Sequence, residues 1–376
     1  MTAPGDHPGA LLEAAVAAHR AGRPEAAIPL YEAAFAQFED PPARHAIGLW
    51  LAGALCDAEQ RDDAVEACRA AIAAEPARAA GHAMLAGILL DLGRLDEAAA
   101  AAQAALLLAP DDRDTLNLAA GIALAQGDAD RAAALAATCL ARSPADQRAV
   151  SHRIVALAQR GADPELASLV DFDRLLRAVS VAPPHGFATI EAFNTALSEA
   201  IRSSDRLDRR HIGKTMVGGL RLHDCFALEP RLAEALRALF LREIRGYAAA
   251  LAISADHPVR RGQPPEPWAL VSWANIMERA DHELPHIHDG SWLSVVYYPE
   301  MPEPCGDEGA IEFGGHDLGA RLAEGPTCRI RPRPGMMVLF PSYFYHRTIP
   351  FEGTGRRISI AFDVRLASAG EIGGER

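Results

Sequence analysis

Apolar and polar positions along the first 160 residues or so follow helical spacing, and the spacing itself repeats. In "AMLAGILLDLGRLDEAAAAAQAALLLAP", residues 83–110, apolar residues crowd one face of two successive helical segments joined at "DLGR". Pro76, Pro110 and Pro144 stand 34 residues apart, as do Gly53, Gly87 and Gly121, and as do Gly93, Gly127 and Gly161. Three markers on one period predict an array of helix pairs, each too small to bury its apolar face alone. The Gly93 series is expected to end the first helix of each pair in the left-handed conformation. The proline stops the second helix. The Gly87 series is expected where the two helices approach closely. "LLEAAVAAHRAGRPEAAIPLYEAAFAQFED" reads as a first repeat in a different phase, and "AVSHRIVALAQRG" as a helix capping the array.

Beyond Pro164 the pattern changes. "DFDRLLRAVSV" predicts a helix and a short strand, "TIEAFNTALSEAIRSS" a helix capped by Thr189, and "RLAEALRALFLREIRGYAAAL" a long amphipathic helix. From Trp268 the apolar runs shorten to strand length: "WALVSWANIM", "SWLSVVYYP", "GAIEFG", "CRIRP", "GMMVLFPS" and "RRISIAFDVR", separated by Gly/Pro turns. Several such runs predict an all-β barrel or jelly roll with helices packed outside.

The 34-residue period and the glycine and proline markers make residues 8 to about 161 resemble four tetratricopeptide repeats. The expected fold is multidomain: an α-solenoid over residues 1–163, then a β domain over 164–376 with its core at about 268–366. Such arrays hold a peptide or protein, or act only as a scaffold or a dimer surface.

Composition narrows the partners. A net charge of -13 argues against nucleic acid and anionic membrane. No long charge-free apolar run predicts a membrane span, and no leader is legible at the N-terminus. The six cysteines, Cys56, Cys68, Cys139, Cys225, Cys305 and Cys328, form no CxxC pair and read as reduced thiols, which suits a cytoplasmic location.

The candidate chemistry lies in the β region. "PHIHDGSWLSVVYYP", residues 285–299, opens a strand with two histidines and an aspartate, residues costly to place there without a task. "GAIEF", "PGMMVLFPSYFYH" ending at His346, and Arg357-Ile358-Ser359 follow in order. In "HIHDGSWLSVVYYP", "RPGMMVLFPSYFYHRTIP" and "RRISIAFDV" the chain resembles the iron(II)- and 2-oxoglutarate-dependent oxygenases, in particular bacterial ones joined to tetratricopeptide repeats. The resemblance covers about residues 168–366. It implies a double-stranded β-helix with H-x-D/E on one strand, a distal histidine on another, and an arginine about ten residues later.

Matching residue by residue makes His286 the first metal ligand and His346 the distal one. Arg357 then clamps the far carboxylate of 2-oxoglutarate by two parallel hydrogen bonds. Ser359 adds a donor on the same strand face, and Tyr298 matches a tyrosine some relatives use on that carboxylate. Asn275 lies where relatives line the cosubstrate pocket. The sequence departs from the pattern at the carboxylate, where His288 stands. Strand alternation puts His286 and His288 on one face and Asp289 on the other, which favours three histidines. A bulge before Gly290 would instead bring in Asp289. If neither serves, a position stays open, as in family halogenases. His223, His282 and His316 are expected to be non-ligands, Arg356 a solvated neighbour, Trp273 and Trp292 core, and Gly335 a turn.

The resemblance thus implies an enzyme using Fe(II), 2-oxoglutarate and O2 to hydroxylate a peptide or protein side chain presented by the repeats. Two other readings stand beside it: a three-histidine dioxygenase that needs no 2-oxoglutarate, and an inactive repeat-based binding protein.

Overall fold

A computed structural model describes residues 8–161, 163–208, 215–302, 306–316, 318, 322 and 325–365. Packing divides the chain into two compact units, Met1–Cys139 and Leu140–Arg376.

In the first unit the helices come in pairs: α1 (Pro8–Arg20) with α2 (Pro24–Gln37), α3 (Pro41–Asp57) with α4 (Arg61–Ala74), α5 (Ala79–Asp91) with α6 (Leu95–Leu108), and α7 (Arg113–Gln126) with α8 (Ala129–Arg142). The second helix of each of the last three pairs buries the same three positions. They are Ala64, Cys68 and Ala71, then Ala98, Ala102 and Ala105, then Ala132, Ala136 and Cys139, each at most 2% exposed. Side chains this small let helices pack closely in these three repeats.

The residue that turns out of each first helix has positive φ: Gly22, Glu59, Gly93 and Gly127. The step is 37 residues for the first pair and 34 afterwards, which is the phase difference expected of the first repeat. Glu59 holds at φ 62° a place that favours glycine. The expected close approach is not found at Gly53 or Gly87. A Cβ on Gly87 would meet nothing within 4 Å, whereas one on Gly48 would lie 2.8 Å from Ala71 Cβ and one on Gly81 2.9 Å from His45 and Ile72. The tight crossings thus fall five or six residues earlier along the first helices.

The second unit begins within α8. Its next helix, α9 (Gln147–Ala158), is capped by Asp146, which accepts a hydrogen bond from Ala149 N at 2.8 Å. From sequence this helix reads as the end of the array. Its Val150 and Leu157 nevertheless share a buried cluster with Trp292 and Leu339 of the sheet. The compositional boundary at 163/164 therefore lies inside this unit.

There follow α10 (Pro164–Leu169), α11 (Phe172–Leu175), β1 (Arg177–Ser180), α12 (Ile190–Arg202), β2 (Leu207–Asp208), β3 (Met216–Val217), β4 (Leu220–Leu222), α13 (Pro230–Ala250) and α14 (Pro258–Arg261). Then come β5 (Leu270–Met277), β6 (His282–Glu283), β7 (Ser291–Glu300), β8 (Ile311–Phe313), β9 (Cys328–Ile330), β10 (Met336–Pro341), β11 (His346–Thr348) and β12 (Arg357–Arg365). The strands build an antiparallel jelly roll. A seven-stranded sheet runs β1-β10-β7-β12-β5-β4-β2, faced by a three-stranded sheet β11-β8-β9 and a small β3-β6 ladder. Of the strands of two or three residues, β8 and β9 fall in the expected runs "GAIEFG" and "CRIRP", whereas β2 to β4, β6 and β11 show no alternation from which they could be predicted.

Alternation on β12 decides what faces where. Ile358, Ile360, Phe362 and Val364 are fully buried, and Phe362 stacks on Phe240 of α13 at 3.5 Å between centroids. Each such side chain contributes about 1.5–3 kcal/mol of burial. The opposite row, Arg357, Ser359, Ala361 and Asp363, then faces the barrel interior. On β7, Tyr297 reaches outward to hydrogen-bond Asn194 of α12, so Ser294, Val296 and Tyr298 face inward. Among the described residues no helix is long and apolar enough to cross a membrane.

Candidate metal centre

Inside the barrel, one ring nitrogen each of His286, His288 and His346 lies within 4.8 Å of the other two. Among the described residues this is the one cluster of metal-ligating type. The backbone builds it directly. His286 and His346 exchange both main-chain hydrogen bonds, at 3.1 and 3.0 Å, so they stand opposite each other as an antiparallel pair. His288 N donates to Ser342 O at 3.0 Å, which keeps it on the same ladder and the same face. The ring centroids are 4.2 Å apart for His286 and His346, 5.1 Å for His286 and His288, and 5.0 Å for His288 and His346.

Each Nδ1 is engaged. That of His286 is 2.8 Å from Leu284 O, and that of His346 3.0 Å from Phe344 O. A carbonyl only accepts, so both Nδ1 atoms carry the proton and both Nε2 lone pairs are free. The His288 Nδ1 is 2.7 Å from Asp363 Oδ1 and 3.0 Å from Ser294 Oγ. All three Nε2 atoms are thereby available as neutral ligands.

Electrostatics favour that state at two of the three. Burial, reinforced by His286 and His288, holds His346 well below the usual histidine range. Burial also lowers His286, against the opposing charge of Glu283. At His288 burial would do the same, but the Asp363 carboxylate outweighs it by charge and hydrogen bond and raises the imidazole.

Asp289 points elsewhere. Its carboxylate forms an exposed ion pair with Arg148 of α9, and among the described residues it does not join the histidine cluster. His223 and His282 lie outside the cluster as well, His223 3.9 Å from Asp208 and His282 bonded to Ala280 O at 2.9 Å. His316 is also outside it.

At the other end of the inward row, Arg357 is 2% exposed. Its Nη1 donates to Ser359 Oγ at 3.1 Å, its Nε to Gly309 O at 3.3 Å, and its guanidinium carbon sits 5.0 Å from the Tyr298 ring centre. Among the described residues no carboxylate pairs with it. The Tyr298 hydroxyl is buried without a hydrogen-bond partner, and burial pushes it up to about 12 against the opposing Arg357 charge. Arg356, on the outer face, lies 3.6 Å from Glu300 and is half-exposed. Between the two ends, on the same inward rows, stand the buried Ser359, Ala361 and Val296.

The third wall is β5. Asn275 is buried and donates to Glu283 Oε1 at 3.0 Å, while Arg221 of β4 donates to Asn275 Oδ1 at 2.9 Å and to Glu283 Oε1 at 3.3 Å. Trp273, expected in the core, instead lies beside the site, its ring 5.4 Å from that of His288 and its buried Nε1 without an acceptor. Trp292 is core as expected, fully buried and donating to Val259 O at 2.8 Å. Gly335 makes the turn before β10 at φ 81°.

Sequence reasoning missed Asp363, Ser294, Arg221 and Glu283. For Asp363 a signal existed, since in "RISIAFDV" it is the third polar residue on the row begun by Arg357 and Ser359. Arg221 and Glu283 carried none, because β4 and β6 are two or three residues long.

Residues 271–363 match a family model described as "Putative 2OG-Fe(II) oxygenase", and residues 51–113 a model described as "Tetratricopeptide repeat". The chain thus carries one stretch similar to tetratricopeptide repeats and one similar to an oxygenase domain whose name implies Fe(II) and 2-oxoglutarate. No curated protein matches the chain. Among solved structures, the MamA protein is 17% identical over 44% of this chain and 90% of that one, with a TM-score of 0.40. YrrB, described as a TPR protein with an unusual peptide-binding site, is 16% identical over 45% and 87%, with a TM-score of 0.39. A Pseudomonas putida prolyl-4-hydroxylase is 17% identical over 54% and 98%, with a TM-score of 0.36. These likenesses are too remote to carry an argument about activity.

Proposed function

We propose that the chain is an iron(II)- and 2-oxoglutarate-dependent dioxygenase that hydroxylates a side chain of a peptide or protein recruited by the repeats. The observation that supports it most is the pairing of two unmet needs on the inward rows of one barrel. Three imidazoles converge at one end, each with its Nδ1 engaged and its Nε2 left for a metal, and a buried guanidinium without a carboxylate stands at the other. A guanidinium stays charged, so its burial calls for an anion. A small dicarboxylate with a metal-chelating 2-oxo acid end meets both needs at once.

In this reading His286, His288 and His346 hold the metal through Nε2. Arg357 takes the far carboxylate in its fork, with Ser359 and the Tyr298 hydroxyl beside it and Asn275 on the adjacent wall. Iron with 2-oxoglutarate and O2, when bound, supplies the oxidising power. The residues of this chain bind and orient, and the aromatic wall of Phe340 and Trp273, whose ring centroids lie 4.8 Å from that of His346 and 5.4 Å from that of His288, keeps water from the centre. Functionally we divide the chain at 163/164, with α9 belonging by sequence to the array and by packing to the oxygenase unit.

The test is succinate release. Protein loaded with iron under anaerobic conditions is mixed with 2-oxoglutarate and then oxygen, and succinate is measured with and without candidate peptides. Stimulated succinate, matched by a gain of one oxygen atom on a peptide, is the expected result. Oxygen uptake without 2-oxoglutarate consumption would turn the assignment to the three-histidine dioxygenase. Tight 2-oxoglutarate binding with no turnover would turn it to a binding protein.

A further inference from the structure

The oxygenase pattern H-x-D/E puts a carboxylate on the metal, and this chain has His288 in that place. We infer that Asp363 does the missing carboxylate's work from one residue further out, by orienting His288 and lending its ligand nitrogen the electron density of a charged partner. This role rests on the metal centre proposed above.

The three histidines differ in what holds them. Those at 286 and 346 rest on backbone carbonyls, at 2.8 and 3.0 Å. Such a partner fixes a tautomer but brings no charge. His288 alone rests on a carboxylate, at 2.7 Å, and it is His288 that stands where the pattern expects an acid. Asp363 is itself built in. The Ser294 hydroxyl donates to its Oδ1 at 2.9 Å, and Ser294 lies 2.9 Å from the Ser342 hydroxyl, so a chain of hydroxyls ends on the carboxylate. Both Asp363 and His288 side chains are 13% exposed. Among the described residues no lysine or arginine pairs with Asp363. The carboxylate nearer in sequence, Asp289, is drawn off by Arg148. Alternation places Asp363 here, since it sits six residues after Arg357 on the same inward row of β12. One strand therefore carries both anion clamp and ligand support. Charged partners of ligating histidines raise ligand basicity and fix the ring.

Cobalt(II) binding to the full chain, followed by titration and by its visible absorption, tests the role without turnover. Asp363→Ala should weaken cobalt affinity about 10–100-fold and shift the absorption. Asp363→Asn, which keeps an acceptor but no charge, should fall between Asp363→Ala and the native chain. Ser294→Ala, which spares the carboxylate, guards against misfolding of the Asp363 variants and should show a smaller loss of the same sign. If Asp363 acts through His288, adding Asp363→Ala to His288→Ala should change affinity no further. A folded Asp363→Ala chain that binds cobalt like the native one would overturn the role while leaving the metal centre standing. So would a loss of equal size in the His288→Ala background. A native chain that holds no cobalt would overturn the metal centre and this role together.

Discussion

The two units of this chain carry their information differently. In the repeats each residue's task recurs 34 positions later, so Ala64, Ala98 and Ala132 do one job three times. In the barrel nothing recurs, and the candidate centre gathers His286, His288, His346 and Asp363 from three stretches of chain. Energy follows the same division. Errors in the array are shared among neighbouring pairs. At the centre each ligating group occurs once, so one substitution removes a function while the fold survives.

The largest effect that would test this contrast is at the proposed metal ligands. His346→Ala or His286→Ala should abolish iron binding and succinate release while leaving helix content unchanged by circular dichroism. Undiminished turnover in either variant would end the metal assignment. Asp289→Ala, by contrast, should retain iron.

Next comes the proposed anion clamp. Removing one partner of a buried charged pair costs about 2–5 kcal/mol. Arg357→Ala should therefore raise the apparent constant for 2-oxoglutarate at least roughly tenfold, measured in the succinate assay. Arg356→Ala should leave it in place; the reverse outcome would mean that the inward row of β12 is misassigned.

The division of labour is sharpened by separating the units. Because α9 shares the barrel's core, the cut belongs before it, near Leu140, and not at Pro164. A chain of residues 140–376 should still turn over 2-oxoglutarate slowly but lose most activity on its peptide substrate. Full activity on that substrate would give the repeats a scaffold role.

The smallest effects lie at the repeat turns. A side chain in the left-handed region costs about 1–2 kcal/mol, and glycine returns about 0.5–1 of that as lost chain entropy. Glu59→Gly should therefore stabilise the chain by about 0.5–1 kcal/mol, and Gly93→Ala destabilise it by about 1 kcal/mol. Neither should move the constant for 2-oxoglutarate. Thermal unfolding and the succinate assay report the two independently.

What the sequence determined by itself was whatever depends on spacing along the chain. The helix pairs, the turns at Gly93 and Gly127, the longer strands, and the shared face of His286 and His288 all follow from periods of 34, 3.6 and 2 residues. Tertiary structure alone decided what depends on which strand lies beside which. It set the tight crossings at Gly48 and Gly81, and it moved α9 from the array's end into the barrel's core. It also turned Asp289 toward Arg148 and brought Asp363 to His288 across 75 residues. The physical reason is that a strand's own pleat says which side chains share a face, while pairing with a distant strand says what that face meets.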